Sequence, residues 1–115
     1  MSPASEEKTR LVWQSLNQKA KEQGVFLILM IAVDKYDAYQ SFIIDNPYPR
    51  KTFCEEIERV IGKTPQLFMS KQYLLPLIEK GEKDVFMFND SHWSYKASSL
   101  VANELVNRIN AHSCQ

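Results

Sequence analysis

Along the chain, segments with apolar residues at helical spacing are followed by short segments that are mostly apolar. This pattern predicts helices separated by short strands. One helix is predicted over residues 5–23. Val12, Leu16 and Ala20 recur there at four-residue spacing among charged side chains, which is typical of an amphipathic helix with one packed face. Residues 25–33 are continuously apolar instead, as in a strand of a parallel sheet that is covered on both faces. We therefore expect this strand to be central in its sheet.

In the rest of the chain, predicted helices and predicted strands also follow one another in turn. Thr52 with Glu55 forms a capping-box pattern that predicts the start of a second helix. This second helix is predicted from about Thr52 to Gly62. It is followed by a strand over 66–69, a helix over 70–81, a strand over 84–88 and a helix from about Tyr95. Strands that alternate with helices imply parallel pairing and right-handed crossovers. We predict one α/β domain over residues 1–115, a parallel sheet with helices on both faces.

Composition and charge narrow the classes of function. The chain has 115 residues, with 14 Lys and Arg against 14 Asp and Glu, so its formal net charge is zero. Nucleic acid is not expected as a partner, because no positive excess is present to replace the counterions of a phosphate backbone. The longest apolar run, residues 25–33, is much shorter than the ~20 residues that span a bilayer. We expect no membrane span, and the polar residues 1–10 do not resemble a signal peptide.

The cysteines predict neither a metal site nor a disulfide framework. Cys54 and Cys114 lie far apart in the sequence, and neither has a His or Cys at metal-ligand spacing. Cys54 is followed by Glu55 and Glu56, whose carboxylates disfavour a thiolate, so it is expected to be a small buried residue. We expect no metal and no cofactor.

Polar clusters follow two of the predicted strands, and ligands of open parallel sheets bind beyond the carboxyl ends of strands. Residues 34–37, Asp-Lys-Tyr-Asp, follow the first strand. In the second cluster, Asp90 and His92 are two residues apart and can lie on the same side of an extended or turning chain. The carboxylate can then accept the imidazole Nδ1–H and leave Nε2 free as a general base. Trp93 is placed to shield this pair from water.

Each cluster also has a simpler interpretation. An Asp-x-His pair can stand in an ordinary solvated loop, and residues 34–37 can form a turn with solvated charges. His112, near the end of the chain, is expected to be a solvated tail residue. Spacing alone does not choose between these roles and the catalytic ones.

Residues 90–97, which follow a predicted strand and enter a helix, resemble the C-terminal block of the SGNH (GDSL-like) hydrolase superfamily. They are most similar to its Asp-x-His-Trp branch, which includes the alginate O-acetyltransferase proteins. Residues 34–39 are similar to the Pro-x-Lys-Tyr-x-x-Tyr segment of that branch, although Val33 stands where the family often has proline. The resemblance covers about residues 8–110 and implies a flavodoxin-like three-layer sandwich.

The chain departs from the superfamily at the nucleophile. Members carry their serine in a Gly-Asp-Ser-like segment, and no such segment occurs here. Ser70 lies between a predicted strand and a helix, where helix capping explains it, and Ser91 cannot face His92 from between the paired residues. The resemblance therefore implies the C-terminal half of a domain whose sheet is incomplete. Because an open apolar sheet edge recruits other chains, we expect the isolated chain to self-associate or to be marginally stable.

The leading hypothesis is the C-terminal part of an SGNH-like serine esterase or carbohydrate O-acetyltransferase. A serine outside the chain would attack an acetyl ester on a carbohydrate, with His92 as the base and Asp90 as the residue that orients it. Lys35, Tyr36 and Trp93 would contact the acylated carbohydrate substrate. The alternatives are a non-catalytic α/β module that binds carbohydrate or protein, and a reading-frame fragment with no independent role. The resemblance points to a location outside the cytoplasm.

Overall fold

The computed structural model describes residues 1–113 and is mixed α/β and mostly helical. Its elements are helix α1 (Pro3–Glu22), strand β1 (Leu29–Ile31), helix α2 (Lys35–Tyr39), a 3-10 turn (Gln40–Phe42), helix α3 (Phe53–Ile61), strand β2 (Leu67–Met69), helix α4 (Lys71–Glu79) and helix α5 (Tyr95–Ser113). The two strands form a small parallel sheet. The predicted α/β class is therefore confirmed, with fewer strands than expected. Cys114 lies outside the described residues.

The predicted third strand, over residues 84–88, is wrong. This segment forms an isolated antiparallel bridge between Phe86 and Trp93 and does not join the sheet. Asp84 adopts a left-handed conformation with φ of 58°, and the chain then reverses direction within a few residues. The backbone of the segment is consequently paired locally, where a parallel strand would have needed a distant partner.

The predicted central strand is shorter and more exposed than its sequence indicates. Only Leu29–Ile31 form β1, and the side chain of Met30 is exposed. Within the described residues β2 is its one neighbour in the sheet, so β1 is an edge strand and the prediction of a central position is wrong. A continuous apolar run indicates a strand, but it cannot by itself supply a second neighbour. All three residues of β2 are buried.

The chain divides into two compact units, and the first contains residues 1–31 and 52–68. Here α1 packs against α3, and Arg59 of α3 forms an ion pair with Glu6 of α1. Val12 and Leu16, which the spacing assigns to the packed face of α1, are both about half exposed. That assignment is wrong because the helix presents a neighbouring face, including the partly buried Trp13, to the unit.

The second unit contains residues 32–51 and 69–113, and it holds all the predicted site residues. In it α4 packs against both α2 and α5. Its buried apolar side chains are Val33, Ala38, Met69, Leu74, Ile78, Val85, Phe86, Ala97 and Val101. Ala97 and Val101, near the beginning of α5, are thus buried, whereas Ile109 further along the same helix is exposed.

Two predicted helix caps differ from expectation. Thr52 precedes α3 but makes no capping bond with its side chain, so the predicted capping box does not form. Ser70 precedes α4 and is fully buried, and its Oγ accepts a hydrogen bond from the backbone N–H of Val33 at 2.9 Å. Its side chain makes no capping bond to α4. Ser70 instead joins the chain after β1 to the start of α4.

Over residues 1–113, no helix combines the length and the apolar character needed to cross a bilayer.

Candidate functional site

The Asp90–His92 segment forms the tip of a short hairpin. The Met87 N–H donates to the carbonyl of His92 at 2.8 Å, and the Ser94 N–H donates to the carbonyl of Val85 at 3.0 Å. These two bonds enclose the antiparallel bridge described above. The hairpin leads directly into α5, because the Ser94 Oγ accepts the N–H of Ala97 at 3.2 Å and so caps that helix. The tip is therefore carried on a fixed base.

Asp90 and His92 lie on the same side of this tip. Their Oδ1 and Nδ1 atoms are 3.3 Å apart, slightly beyond the ~2.6–3.2 Å of a formed bond between a base and the residue that orients it. The same Oδ1 accepts the backbone N–H of His92 at 2.8 Å. The carboxylate thus closes a turn of its own chain and stands beside the imidazole at the same time, a use typical of Asp in turns.

The pair is open to solvent. The side chain of His92 is 83% exposed and that of Asp90 is 47% exposed. The pKa of Asp90 lies below its ordinary value, chiefly because the carboxylate accepts the backbone N–H of His92, and the positive charge of Lys35 acts in the same direction. Trp93 does not shield the imidazole: its Nε1–H donates to the carbonyl of Val33 at 3.0 Å, and the expected exclusion of water is not observed.

Lys35 lies against the same hairpin. Its Nζ donates to the carbonyl of Met87 at 2.8 Å and to the carbonyl of Asp90 at 2.9 Å. It is the first residue of α2, whose N-cap is Asp34. The structure therefore brings Lys35, Asp90, His92 and Trp93 together, although these residues come from two distant parts of the sequence.

Tyr36 is directed to a different segment. Its hydroxyl donates to the carbonyl of Pro49 at 2.9 Å and accepts a hydrogen bond from Asn46 Nδ2 at 3.0 Å. Tyr36 thus binds the loop around residues 46–49, whereas Lys35, its neighbour in α2, binds the hairpin. Among the described residues no contact between Tyr36 and the Asp90–His92 pair is observed.

Sequence analysis missed a buried polar cluster between α2 and α4. Lys71 Nζ lies 2.7 Å from Asp37 Oδ1, and the two side chains are 13% and 2% exposed. Gln40 Nε2 donates to the same oxygen at 3.0 Å. Nothing in the local pattern pairs Asp37 with Lys71, since the two are distant in the sequence. Because the cluster joins two packed helices and is closed to solvent, its role is structural.

Ser70 and Cys54, which the sequence analysis also considered, are both buried. Ser70 is fully buried, so it is not placed to act as a nucleophile. Cys54 is buried in the first unit, as expected for a small core residue. In the part of the chain that the structure describes, no group of three or more His, Cys, Asp or Glu side chains is arranged to hold a metal ion.

Comparison of the chain with models of protein families, with curated proteins and with solved structures finds no match.

The titration of Asp90 tests which bond dominates at the hairpin tip. We expect its pKa to be below the ordinary value in the folded chain and to stay low in His92→Ala, because that variant keeps the backbone N–H. A carboxyl whose pKa is lower in the folded than in the unfolded chain stabilises the fold when ionised. This contribution is present above the unfolded pKa and is lost as the pH falls through the folded one. Carbon NMR of the Asp90 carboxyl against pH measures the effect. A return to the ordinary pKa in His92→Ala would show that the imidazole is the main cause.

Proposed function

We propose that the chain is the C-terminal part of an SGNH-like serine esterase or carbohydrate O-acetyltransferase and that it supplies the acid–base pair. The observation that supports this best is the position of Asp90 Oδ1 3.3 Å from His92 Nδ1, at an exposed hairpin tip. The placement of Lys35 against the same tip adds support, because it unites the two segments that resemble the superfamily. Under this proposal Tyr36 and Trp93 line the approach of an acylated carbohydrate. Lys35, expected in the same role, instead has its ammonium bound to the carbonyls of Met87 and Asp90.

The proposed reaction is acyl transfer through a covalent intermediate. A serine outside the chain attacks the acetyl carbonyl carbon, and Nε2 of His92 takes the hydroxyl proton. The bond to the sugar oxygen breaks, and the imidazolium returns the proton to that oxygen. Water, or the hydroxyl of an acceptor sugar, then loses a proton to His92 as it attacks the acyl-serine, and the serine regains that proton as it leaves. Asp90 orients the imidazole and stabilises its charged form.

The same proposal also accounts for the small number of strands in the sheet. The superfamily's three-layer sandwich requires strands that residues 1–113 do not contain, and the segment with the serine would add them. The edge position of β1 and the exposed side chain of Met30 support an incomplete sheet. In the isolated chain, self-association through this edge stays a prediction, and so does a location outside the cytoplasm.

The test of the proposed function follows the reading frame upstream of the Met1 codon. We expect a Gly-Asp-Ser-like block in frame, and we expect the extended protein to hydrolyse p-nitrophenyl acetate. The chain of residues 1–115 alone is expected to show only the rate of a surface imidazole. It lacks the serine, and it lacks the oxyanion donors, one of which is typically worth ~10²–10³ in rate.

Two outcomes would contradict the proposed function. The first is a reading frame that encodes no serine block. The second is turnover by the isolated chain that disappears in Ser70→Ala, because the nucleophile would then be inside the chain. Folding of Ser70→Ala must be checked alongside, since the Oγ of this buried residue accepts a bond from Val33.

A binding module is the second candidate, and the surface beside the hairpin tip favours it. Phe88 and Tyr95 are 93% and 88% exposed, and large exposed aromatic rings are typical of recognition surfaces. Both lie within a few residues of Asp90. Oligosaccharide binding by the isolated chain that is lost in Phe88→Ala, together with an inactive extended protein, would favour this candidate over the enzyme.

A further inference from the structure

The ammonium group of Lys35 connects the two ends of the hairpin tip. It donates to the carbonyls of Met87 and Asp90, which stand on either side of residues 88–89. A lysine ammonium has three donors, so these bonds use two of them. Bonds to a charged donor are stronger than bonds between neutral groups. The cation therefore acts as a crosslink between two points of the backbone that carries Asp90.

The tip has few other contacts that could fix it. Within the described residues, no hydrogen bond is observed for Phe88, Asn89 or Ser91. Apart from the bonds of Lys35, the tip is closed by the backbone bond from Met87 to His92 and by the Asp90 carboxylate on the His92 N–H. Both of these join the tip to itself and do not join it to the rest of the unit.

The base of the hairpin, in contrast, is fixed independently of Lys35. The Trp93 indole donates to the carbonyl of Val33, and the ring of Phe86 packs edge-on against Tyr39 with centroids 5.8 Å apart. Loss of the Lys35 ammonium would therefore release the tip and leave the base in place.

We propose that Lys35 is a positioning residue that holds the Asp90–His92 turn on the end of α2. Its two bonds fix the backbone on both sides of residues 88–89, and this keeps the Asp90 carboxylate beside the imidazole of His92. The proposal concerns the turn itself, and it rests on the proposed function only for the claim that this geometry serves catalysis. It differs from a role in substrate binding, because the two bonds that Lys35 makes go to the protein backbone.

The experiment compares Lys35→Met with the unmodified chain of residues 1–115. The methionine keeps the apolar stem and removes the charge and the donors. We expect the amides of Met87 and His92 to exchange with solvent ~10-fold faster or more, because a bond to a charged donor has been lost. The amide of Ser94, at the base, should be unchanged. In alkaline buffer the fraction of His92 in the Nδ1–H tautomer, read from long-range proton–nitrogen correlations, should fall.

Two further variants make the comparison specific. Lys35→Arg restores a charged donor and is expected to recover most of the protection of the tip amides. Lys63→Met removes an almost fully exposed lysine that lies 4.0 Å from Glu58, and it should change nothing at the hairpin. If Lys35→Met does not fold, Lys35→Gln provides the same measurement, since it removes only the charge and part of the donor capacity.

The outcomes separate this proposal from the proposed function. Equal exchange at Met87 and His92 in Lys35→Met and Lys63→Met would overturn the positioning role, whatever the extended protein does. If the extended protein is an esterase, Lys35→Met should lower kcat and leave KM nearly unchanged. A rise in KM alone would identify Lys35 as a substrate contact and would also overturn the proposal.

Discussion

In the extended protein, His92→Ala is expected to lower kcat/KM for an acetylated oligosaccharide by ~10³- to 10⁴-fold, at the upper end of what a positioned acid–base group contributes. In the proposed mechanism the imidazole is used twice, since it takes the proton of the serine and gives one to the departing sugar oxygen. The loss should be smaller with p-nitrophenyl acetate, because p-nitrophenolate leaves without a proton. Initial rates with both substrates measure the difference.

The controls for this prediction are already in the chain. His112, in the last turn of α5, is the second of its two histidines, and His112→Ala should retain the full rate. Asp90→Asn keeps an oxygen for the His92 backbone N–H but removes the negative charge, so it should lose less activity than His92→Ala. If His92→Ala is as active as the unmodified protein, the Asp90–His92 pair is not catalytic.

Lys71→Met is expected to lower the free energy of unfolding by ~3–5 kcal/mol, the range found when one partner of a buried ion pair is removed. The Asp37 carboxylate is 2% exposed and would keep Gln40 as a donor but lose the cation 2.7 Å away. Against the total of ~5–15 kcal/mol that stabilises a typical domain, this is a large fraction. Urea denaturation followed by tryptophan fluorescence gives the change in midpoint.

The matched control is again Lys63→Met, which removes an exposed lysine and should change stability by less than ~0.5 kcal/mol. Asp37→Asn combined with Lys71→Met should be more stable than Lys71→Met alone, because no unpaired charge remains in the interior. A loss below ~1 kcal/mol in Lys71→Met would contradict this prediction, because it would mean that the carboxylate finds another partner.

The long helices are predictable from the sequence because their signals are local. The sequence predicted helices that correspond to α1, α3, α4 and α5. Glycines in the left-handed region stand just beyond the first three of them, as Gly62 does with φ of 88°. Pro76 lies inside α4 without ending it. The short α2 has no comparable signal, since its five residues are too few to show a helical period.

The parts that sequence analysis could not give depend on distant partners. Residues 84–88 have the composition of a strand, yet Phe86 pairs with Trp93 because the chain turns back at once. Likewise, the short spacing between Asp90 and His92 made their closeness predictable, whereas the bond from Lys35 to Asp90 spans most of the second unit's sequence. Both segments follow predicted strands, and the carboxyl ends of parallel strands lie at the same edge of a sheet. This could suggest that Lys35 lies near the hairpin, but not that its ammonium binds the backbone.

Residues 34–39 and 90–97 are the two segments that resemble the superfamily. The contacts that join these parts of the chain also indicate which features an inactive descendant of such an enzyme would keep. Lys35 holds the backbone of Asp90, and Trp93 holds the carbonyl of Val33, so each segment needs the other for its own conformation. A pseudoenzyme that had lost its serine would still be under pressure to keep both segments, since they serve folding as well as chemistry. Under the proposed function, the joint presence of the two segments would mark the shared scaffold, and the serine block would distinguish an active enzyme from an inactive one.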